Sequence, residues 1–438
     1  MIRRKDEKLN NNKICRANFT FKLPIFQSSN LPIFQKYGVF FVNILVVCQN
    51  FYPDSFHINH IVQDMCSRGH TVTVVTGKPD YATSRVPKEY KWFRKHHEYL
   101  GKVEVWRVPI FARRHGAIMR FFNYLSFIIT GSIFCSFKKF NSFDVIYIWG
   151  VSPVTMAIPA IVLKYRYKKP IFYYCLDLWP ESMKAFNVGE KNIVFKTVKT
   201  LCKWIYSKFD KVAVTSKPFI EYIKTVNKYN KEITYLPQYG ADEYLDKDFT
   251  TTDNGITDFV WAGNIGYVQN LGTLINAVEK IKDEPNFIVH IVGDGSVRKE
   301  YEELVNKKQL NKKIVFHGRV PFADMEKYYK LADACLLTLD GSNKIGETLP
   351  VKMQGYMAAG KPVIAAINGA GQQTIKESNC GLVVDYNDNE GFANIMLDFI
   401  KNKEKYSSCG ENARKYFKEN FIKEKHFEVL EQLLNQMI

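Results

Sequence analysis

Paired cysteines are missing from this chain. Its nine cysteines are scattered singly through 438 residues with no CxxC among them, which excludes a zinc knuckle and argues against a disulfide frame. Cys48, Cys175 and Cys335 stand in apolar runs and read as small core residues in a reducing compartment. An uninterrupted apolar run of the ~20 residues that cross a membrane is also missing. The best candidate, Phe121–Phe137, has 17 residues and is broken by Asn123, Ser126, Thr130, Gly131, Ser132 and Ser136. Residues 1–36 lack an apolar core, so no secretory leader is predicted, and residues 1–40 read as a poorly ordered extension.

Acidic residues are scarce in one half. Residues 1–235 hold 37 Lys and Arg against 15 Asp and Glu, whereas residues 236–438 hold 24 against 29. A strongly cationic half suits a polyanion or an anionic membrane leaflet. No RRM, zinc-finger or helix-turn-helix pattern and no dominant basic tract occurs, so nucleic acid is not the expected partner and a membrane surface is.

What is present is a regular alternation of strand-like and helix-like segments from Asn43 onward, the mark of α/β architecture with parallel sheets. Strands are predicted at Ile44–Cys48, Thr71–Thr76, Val103–Val108, Val145–Trp149, Ile171–Asp177, Val212–Thr215 and Ile233–Leu236. After the Asp- and Thr-rich stretch 242–256, they recur at Phe259–Gly263, Phe287–Val292, Ile314–Gly318, Ala334–Leu339, Val363–Ile367 and Gly381–Asp385. Two doubly wound domains facing a cleft, residues 41–238 and 239–417, account for this, with a C-terminal helix over 418–438 crossing back to the first domain. Phe121–Phe137, flanked by Arg113, Arg114, Arg120, Lys138 and Lys139, fits either a core helix or an interfacial one. The basic segment Lys191–Lys208 fits an ordinary amphipathic surface helix equally well.

The segment Glu347–Val363, ETLPVKMQGYMAAGKPV, is the most informative. A lone acid and a Lys five positions later precede a short helix that Gly360 stops. In an α/β sheet this sets Glu347 and Lys352 at a helix start beside the carboxyl ends of the strands, where anions bind. Such a mouth suits a nucleotide sugar. The plain alternative is a solvated acid and a surface lysine.

The motifs Phe259–Gly266 (FVWAGNIG), Ile291–Gly295 (IVGDG), Phe316–Pro321 (FHGRVP) and Glu347–Pro362 resemble the donor half of family 4 GT-B glycosyltransferases. Phe51–Asn59 (FYPDSFHIN), Arg68–His70 and Asp177–Ser182 (DLWPES) are similar to the branch of bacterial N-acetyl-L-fucosamine transferases in O-antigen and capsule assembly. The resemblance implies donor binding by Gly263, Asn264, Gly266, Gly293, Gly295, Gly318, Arg319, Lys344, Gly369 and Gly371. It implies catalytic work for Glu347, Lys352 and Asp177, and acceptor contacts from His57, Asn59, Trp179 and Glu181. It further implies retention of configuration without a bound metal or cofactor. The donor would be UDP-linked and the acceptor a lipid-linked saccharide at the cytoplasmic face of the membrane. His57 and His60 at i, i+3 lack a third ligand and do not read as a metal site.

The chain departs from that pattern at three places. Gly355 stands where the family has a second Glu, eight positions after Glu347; Asn264 and Gln269 replace the usual Arg and Lys; Leu176 replaces a histidine before Asp177. A nucleotide-sugar 2-epimerase and a membrane-associated scaffold with a degraded donor pocket are the rival readings.

Overall fold

The computed structural model describes residues 41–438, apart from residues 82, 83, 92, 93, 115, 187, 343 and 345. The expectation for residues 1–40 lies outside the described residues.

In the first domain the strands are β1 (Asn43–Cys48), β2 (Thr71–Gly77), β3 (His97–Leu100), β4 (Val103–Val108), β5 (Val145–Gly150), β6 (Ile171–Cys175), β7 (Lys211–Val214) and β8 (Ile233–Tyr235). The helices between them are α1 (Ile58–Ser67), α2 (Ala117–Phe137), α3 (Ile158–Tyr167), α4 (Ile193–Tyr206) and α5 (Pro218–Thr225). The sheet order is β3-β4-β2-β1-β5-β6-β7-β8. Every residue of β5 and β6 is buried, because helices cover both faces; the strands are therefore continuous apolar runs without alternation.

The second domain carries β9 (Thr257–Ala262), β10 (Phe287–Val292), β11 (Ile314–Gly318), β12 (Ala334–Thr338), β13 (Val363–Ala366) and β14 (Gly381–Val384) in the order β11-β10-β9-β12-β13-β14. Its helices are α6 (Leu271–Lys280), α7 (Arg298–Lys307), α8 (Met325–Leu331), α9 (Val351–Ala358), α10 (Gly369–Ser378) and α11 (Asn389–Lys401), followed by α12 (Cys409–Asn420) and α13 (Lys423–Asn435). Each sheet reverses its winding beside its first strand, at β1/β5 and at β9/β12, and the crevice above such a reversal is where these sheets take ligands.

One strand was not expected. β3 is a four-residue edge strand antiparallel to β4, with Leu100 opposite Val103 and His97 opposite Trp106. Gly101 turns the hairpin with φ 61°, and the His97 ring stacks on Trp106 at 3.8 Å.

α13 packs on the first domain. Phe427, Leu430 and Leu434 join the core that contains β1 and β5, and Lys423 Nζ meets Asp64 at 3.0 Å. His426 Nδ1 donates to the Pro237 carbonyl at 2.8 Å, while Arg68 pairs with Glu424 and Glu431 and lies over the Phe427 ring. The chain therefore passes between the domains twice, after β8 and before α13, and the two passages are tied together.

Candidate functional site

The donor-side residues gather at the carboxyl ends of β9, β10 and β11. A cavity of about 480 Å³ there is lined by Gly263, Asn264, Gly293, Gly295 and Arg319, with Asp294 beside them and Val320 and Met325 as its apolar wall. Gly293 has φ 152° and is pressed so closely on the β9 turn that a Cβ would stand 1.8 Å from the Gly263 carbonyl oxygen. Its N–H donates to the Gly318 carbonyl at 2.8 Å. Gly295 is equally close to Ile265, where a Cβ would come within 2.1 Å of the carbonyl oxygen. These glycines are therefore required first by backbone packing, and they shape the cavity as a consequence.

Lys352 lies against Gly263, one of the residues that line this cavity. Ala262 N–H donates to the Tyr356 hydroxyl (2.9 Å), which donates to the Ala262 carbonyl (3.2 Å), fixing α9 on the end of β9. One turn earlier, the Lys352 amine lies 3.9 Å over the Trp261 ring, within 3.6 Å of where a Gly263 Cβ would stand. Trp261 is itself anchored by an indole N–H bond to Thr338 Oγ1 at 3.1 Å. The amine is buried and has no hydrogen-bond partner among the described residues. Burial alone pushes its pKa down to about 7, since a desolvated ammonium with no counter-charge favours its neutral form.

A second group adjoins the first through Pro350 and Val351. Lys344 Nζ grips both Glu347 carboxylate oxygens at 2.7 and 2.8 Å. Gly369 opens α10 with φ 68°, and a Cβ there would meet Glu347 Cα at 2.5 Å. The Ala370 N–H donates to the Glu347 carbonyl, and Gly371 lies against Pro350. Glu347 thus precedes α9 by a turn of chain and faces the first turn of α10, where the sequence had set it at the start of α9. The Ser216 hydroxyl approaches the Glu347 carbonyl from the first domain at 3.5 Å.

Two residues named for donor binding have partners within the chain. The Gly266 N–H donates to Gln269 Oε1 at 3.1 Å, because Gln269 sits in the turn before α6. Lys344 is paired with Glu347. Gly355 is buried, and a Cβ there would approach the Tyr329 hydroxyl at 3.1 Å.

The acceptor-side expectations fare differently. Asn59 has both ends of its amide engaged, accepting from Tyr52 N–H at 3.0 Å and donating to Asp54 O at 2.8 Å, so it staples the loop before α1. Trp179 donates to Ser152 Oγ at 2.9 Å, and its carbonyl accepts from Asn227 at 3.1 Å. Glu181 is buried, paired with Lys184 at 3.0 Å and with the Tyr222 hydroxyl. These three hold the first domain together where contact with an acceptor was expected; the polar string DLWPES turns inward because its partners lie under it. Asp177 accepts from the Ser152 N–H at 2.9 Å, and burial raises its pKa. His57 remains open: its buried Nδ1 has no partner among the described residues, its ring lies 4.6 Å from Tyr239, and burial pushes its pKa down to about 3. Tyr356 and Trp261, which set the Lys352 amine in place, stand inside the quoted motifs without any pattern that singles them out.

Comparison with known proteins agrees with this geometry. Residues 246–416, less than half of the chain, match the family model described as glycosyl transferases group 1. A protein of Escherichia coli named as a colanic acid biosynthesis glycosyl transferase, WcaI, is 22% identical over 340 residues, 73% of this chain and 82% of that one. Sucrose-phosphate synthase from Thermosynechococcus elongatus superposes with a TM-score of 0.71 at 18% identity, over 90% of this chain and 98% of its own. Anabaena Alr3699/HepE in complex with UDP-glucose gives 0.61 at 14% identity, over 90% and 100%. The fold is GT-B. The matched domain and the named relatives support a glycosyltransferase of group 1.

Proposed function

We propose that the chain is a retaining glycosyltransferase that moves a hexose-type sugar from a UDP-linked donor to a lipid-linked saccharide during surface polysaccharide assembly. The observation that carries this is the buried, unpartnered Lys352 amine packed against Gly263, a residue that lines the cavity. A buried cation without a counter-ion is costly unless a ligand supplies the charge, and a diphosphate does so. The nucleoside would fill the 480 Å³ cavity, with the diphosphate over the Gly263 turn, where the Lys352 amine would swing out from behind that turn to meet it. The sugar would reach Glu347 and the first turn of α10. Charge growing on the leaving diphosphate meets a preorganised cation and helix N–H groups, an arrangement in which one donor is typically worth about 2.7–4 kcal/mol of barrier. These residues supply that charge without a metal ion. A donor phosphate oxygen would take the acceptor proton on the face the leaving group vacates. Asp177 would hold the β5–α3 loop through Ser152, and His57 would face the acceptor.

Support for the donor class comes from the UDP-glucose bound by Anabaena Alr3699/HepE, and for polysaccharide assembly from the name of WcaI. An N-acetylated 6-deoxyhexosamine is the sugar favoured by the DLWPES resemblance. The cationic first half favours work at the cytoplasmic face of the membrane.

A screen of nucleotide sugars against thermal unfolding tests this. A true donor at about 100 times its Kd should add about 2.7 kcal/mol, and Lys352→Ala should abolish the shift. If no nucleotide sugar protects the protein, the proposal fails. The engaged Gly266 N–H and the absent side chain at Gly355 favour one second reading, a non-catalytic scaffold. Calorimetry with UDP separates the two: no binding would support the scaffold.

A further inference from the structure

α2 is built inside out. Asn123 and Ser126 are buried beneath it. The Asn123 amide donates to Asp80 Oδ2 at 2.9 Å and accepts from Gln49 Nε2 at 2.7 Å. Ser126 Oγ accepts from Phe111 N–H at 2.9 Å, and Thr130 donates to the Pro109 carbonyl at 2.7 Å. The opposite side is apolar and in water: Ile118, Phe121, Ile129, Ile133 and Phe137 are 73, 60, 49, 56 and 80% exposed. Steps of three, four and eight residues put them on one stripe. A surface helix normally turns this stripe to the core, and an apolar face this long on the outside marks an interaction site.

We infer that this stripe lies flat in the headgroup layer of an anionic lipid bilayer. Charge selects that occupant. No Asp or Glu occurs between Glu104 and Asp144, while Arg113 and Arg114 precede the helix and Lys138 and Lys139 follow it. A second copy of the chain would set this acid-free face against itself, like charge on like. Anionic headgroups answer it, at about the depth that an interfacial helix reaches. The neighbouring helices extend the surface: Tyr165 of α3 and Trp204 of α4 are exposed, and Lys208 Nζ lies between them at 5.9 and 5.5 Å from their rings. Aromatic rings and lysines are what the headgroup zone favours.

The helix lies along the membrane and does not cross it. Ile118–Phe137 is long and apolar enough to span, with a mean hydropathy of 1.4. Spanning would strip Asn123, Ser126 and Thr130 of their partners in hydrocarbon and unpack Phe127 and Cys135, both fully buried. The Gln49–Asn123–Asp80 chain instead pins α2 to the carboxyl ends of β1 and β2. A docked bilayer would therefore meet the protein beside the cleft rim, where a lipid-anchored acceptor is presented. The docking itself does not rest on the transferase proposal; only its purpose does.

Sedimentation of the full chain with vesicles tests the inference. Vesicles of equal phosphatidylglycerol and phosphatidylcholine should carry the protein down. Pure phosphatidylcholine, raised salt, or the combined variant Phe121→Ser, Ile129→Ser, Phe137→Ser should each weaken binding at least about tenfold. The variant should keep the wild-type circular dichroism and thermal midpoint, since these side chains touch solvent. Undiminished sedimentation of a folded variant overturns the inference. So does wild-type protein that stays in the supernatant, whether as a monomer or as a dimer that the variant breaks. Resistance to carbonate extraction overturns the flat geometry. Vesicle binding with no sugar transfer would count against the transferase proposal alone.

Discussion

The amine of Lys352 stands 3.9 Å above the ring of Trp261 and touches no acceptor among the described residues. With its pKa down to about 7, it is largely neutral at pH 8 in the empty protein. A bound diphosphate supplies the missing counter-charge and pulls the pKa back up. Donor binding at pH 8 should therefore take up roughly one proton per site, and binding at pH 6 almost none. Calorimetry of UDP binding in two buffers of different ionisation enthalpy measures this directly. Affinity should weaken as pH rises above 7, because the neutral amine must be recharged first. Equal heats in both buffers at pH 8 would remove Lys352 from the diphosphate site.

The same burial makes Lys352 a stability liability, which the proposed role at the diphosphate would explain. In the unfolded chain the amine ionises near the ordinary lysine value of about 10.4. Below that value the folded protein bears the cost of an uncompensated or neutralised amine. Lys352→Met, similar in length and apolar, should raise the unfolding free energy at pH 7 by at least about 1 kcal/mol. It should also cut kcat by about 10²-fold or more. Denaturant titration and turnover on one preparation check both halves. Loss of activity together with loss of stability would mean that the amine is structural.

The fold was largely legible because strands covered on both faces are unbroken apolar runs: β5 and β6 announce themselves as VIYIWG and IFYYC. β3 was missed because HEYL has no such run; its reason for existing is Trp106 opposite it, which lies across a hairpin. Of the candidate site, the glycine turns were legible, and the structure sets Gly263, Gly293 and Gly295 around one cavity with Lys352 packed against the first of them. What the sequence could not convey was engagement. Asn59, Trp179 and Glu181 have the chemistry of acceptor ligands, yet Asp54, Ser152, Asn227 and Tyr222 take up that chemistry. α2 was ambiguous for a related reason. Apolar residues occur on both of its sides, and only the partners of Asn123 and Ser126 decide which side is inward.

Gly293 couples fold and site through contact alone. A methyl group there would overlap the Gly263 carbonyl oxygen at 1.8 Å, and φ 152° is strained for any side chain. Because the overlapping atoms are all Gly263 backbone, no side chain can swing aside to relieve the overlap. Gly293→Ala should destabilise the protein by about 2–4 kcal/mol and weaken UDP binding, since the shifted β9 turn carries Gly263 away from Lys352. Gly101→Ala, where no atom lies within 4 Å of the added carbon, serves as the control for positive φ (61°) without a clash and should cost only about 1 kcal/mol. Equal losses in the two variants would show that backbone strain, and not the contact with Gly263, sets the cost.

His426 gives the passage between the domains a pH signature. It donates from Nδ1 to Pro237, packs at 4.9 Å against Tyr239, and has a buried Nε2 with no partner. Burial, with the Arg68 charge nearby, pushes its pKa down to about 4. The unfolded chain protonates this histidine near the ordinary value of about 6.5. Stability is therefore fully present above pH 6.5 and is lost as pH falls toward 4, by roughly 3 kcal/mol if the whole interval counts. Asp80, pushed up to about 6 by burial, works in the opposite direction over part of that range, so the total curve blends the two. The difference between wild type and His426→Phe isolates the histidine. At pH 7 the variant should be the less stable, having lost the Pro237 bond. Toward pH 4.5 the gap should close and then reverse, because phenylalanine has no proton to bind. Urea titrations at four pH values measure it. A gap that stays constant with pH would mean that His426 is reached by solvent through motion between the domains and protonates as readily folded as unfolded.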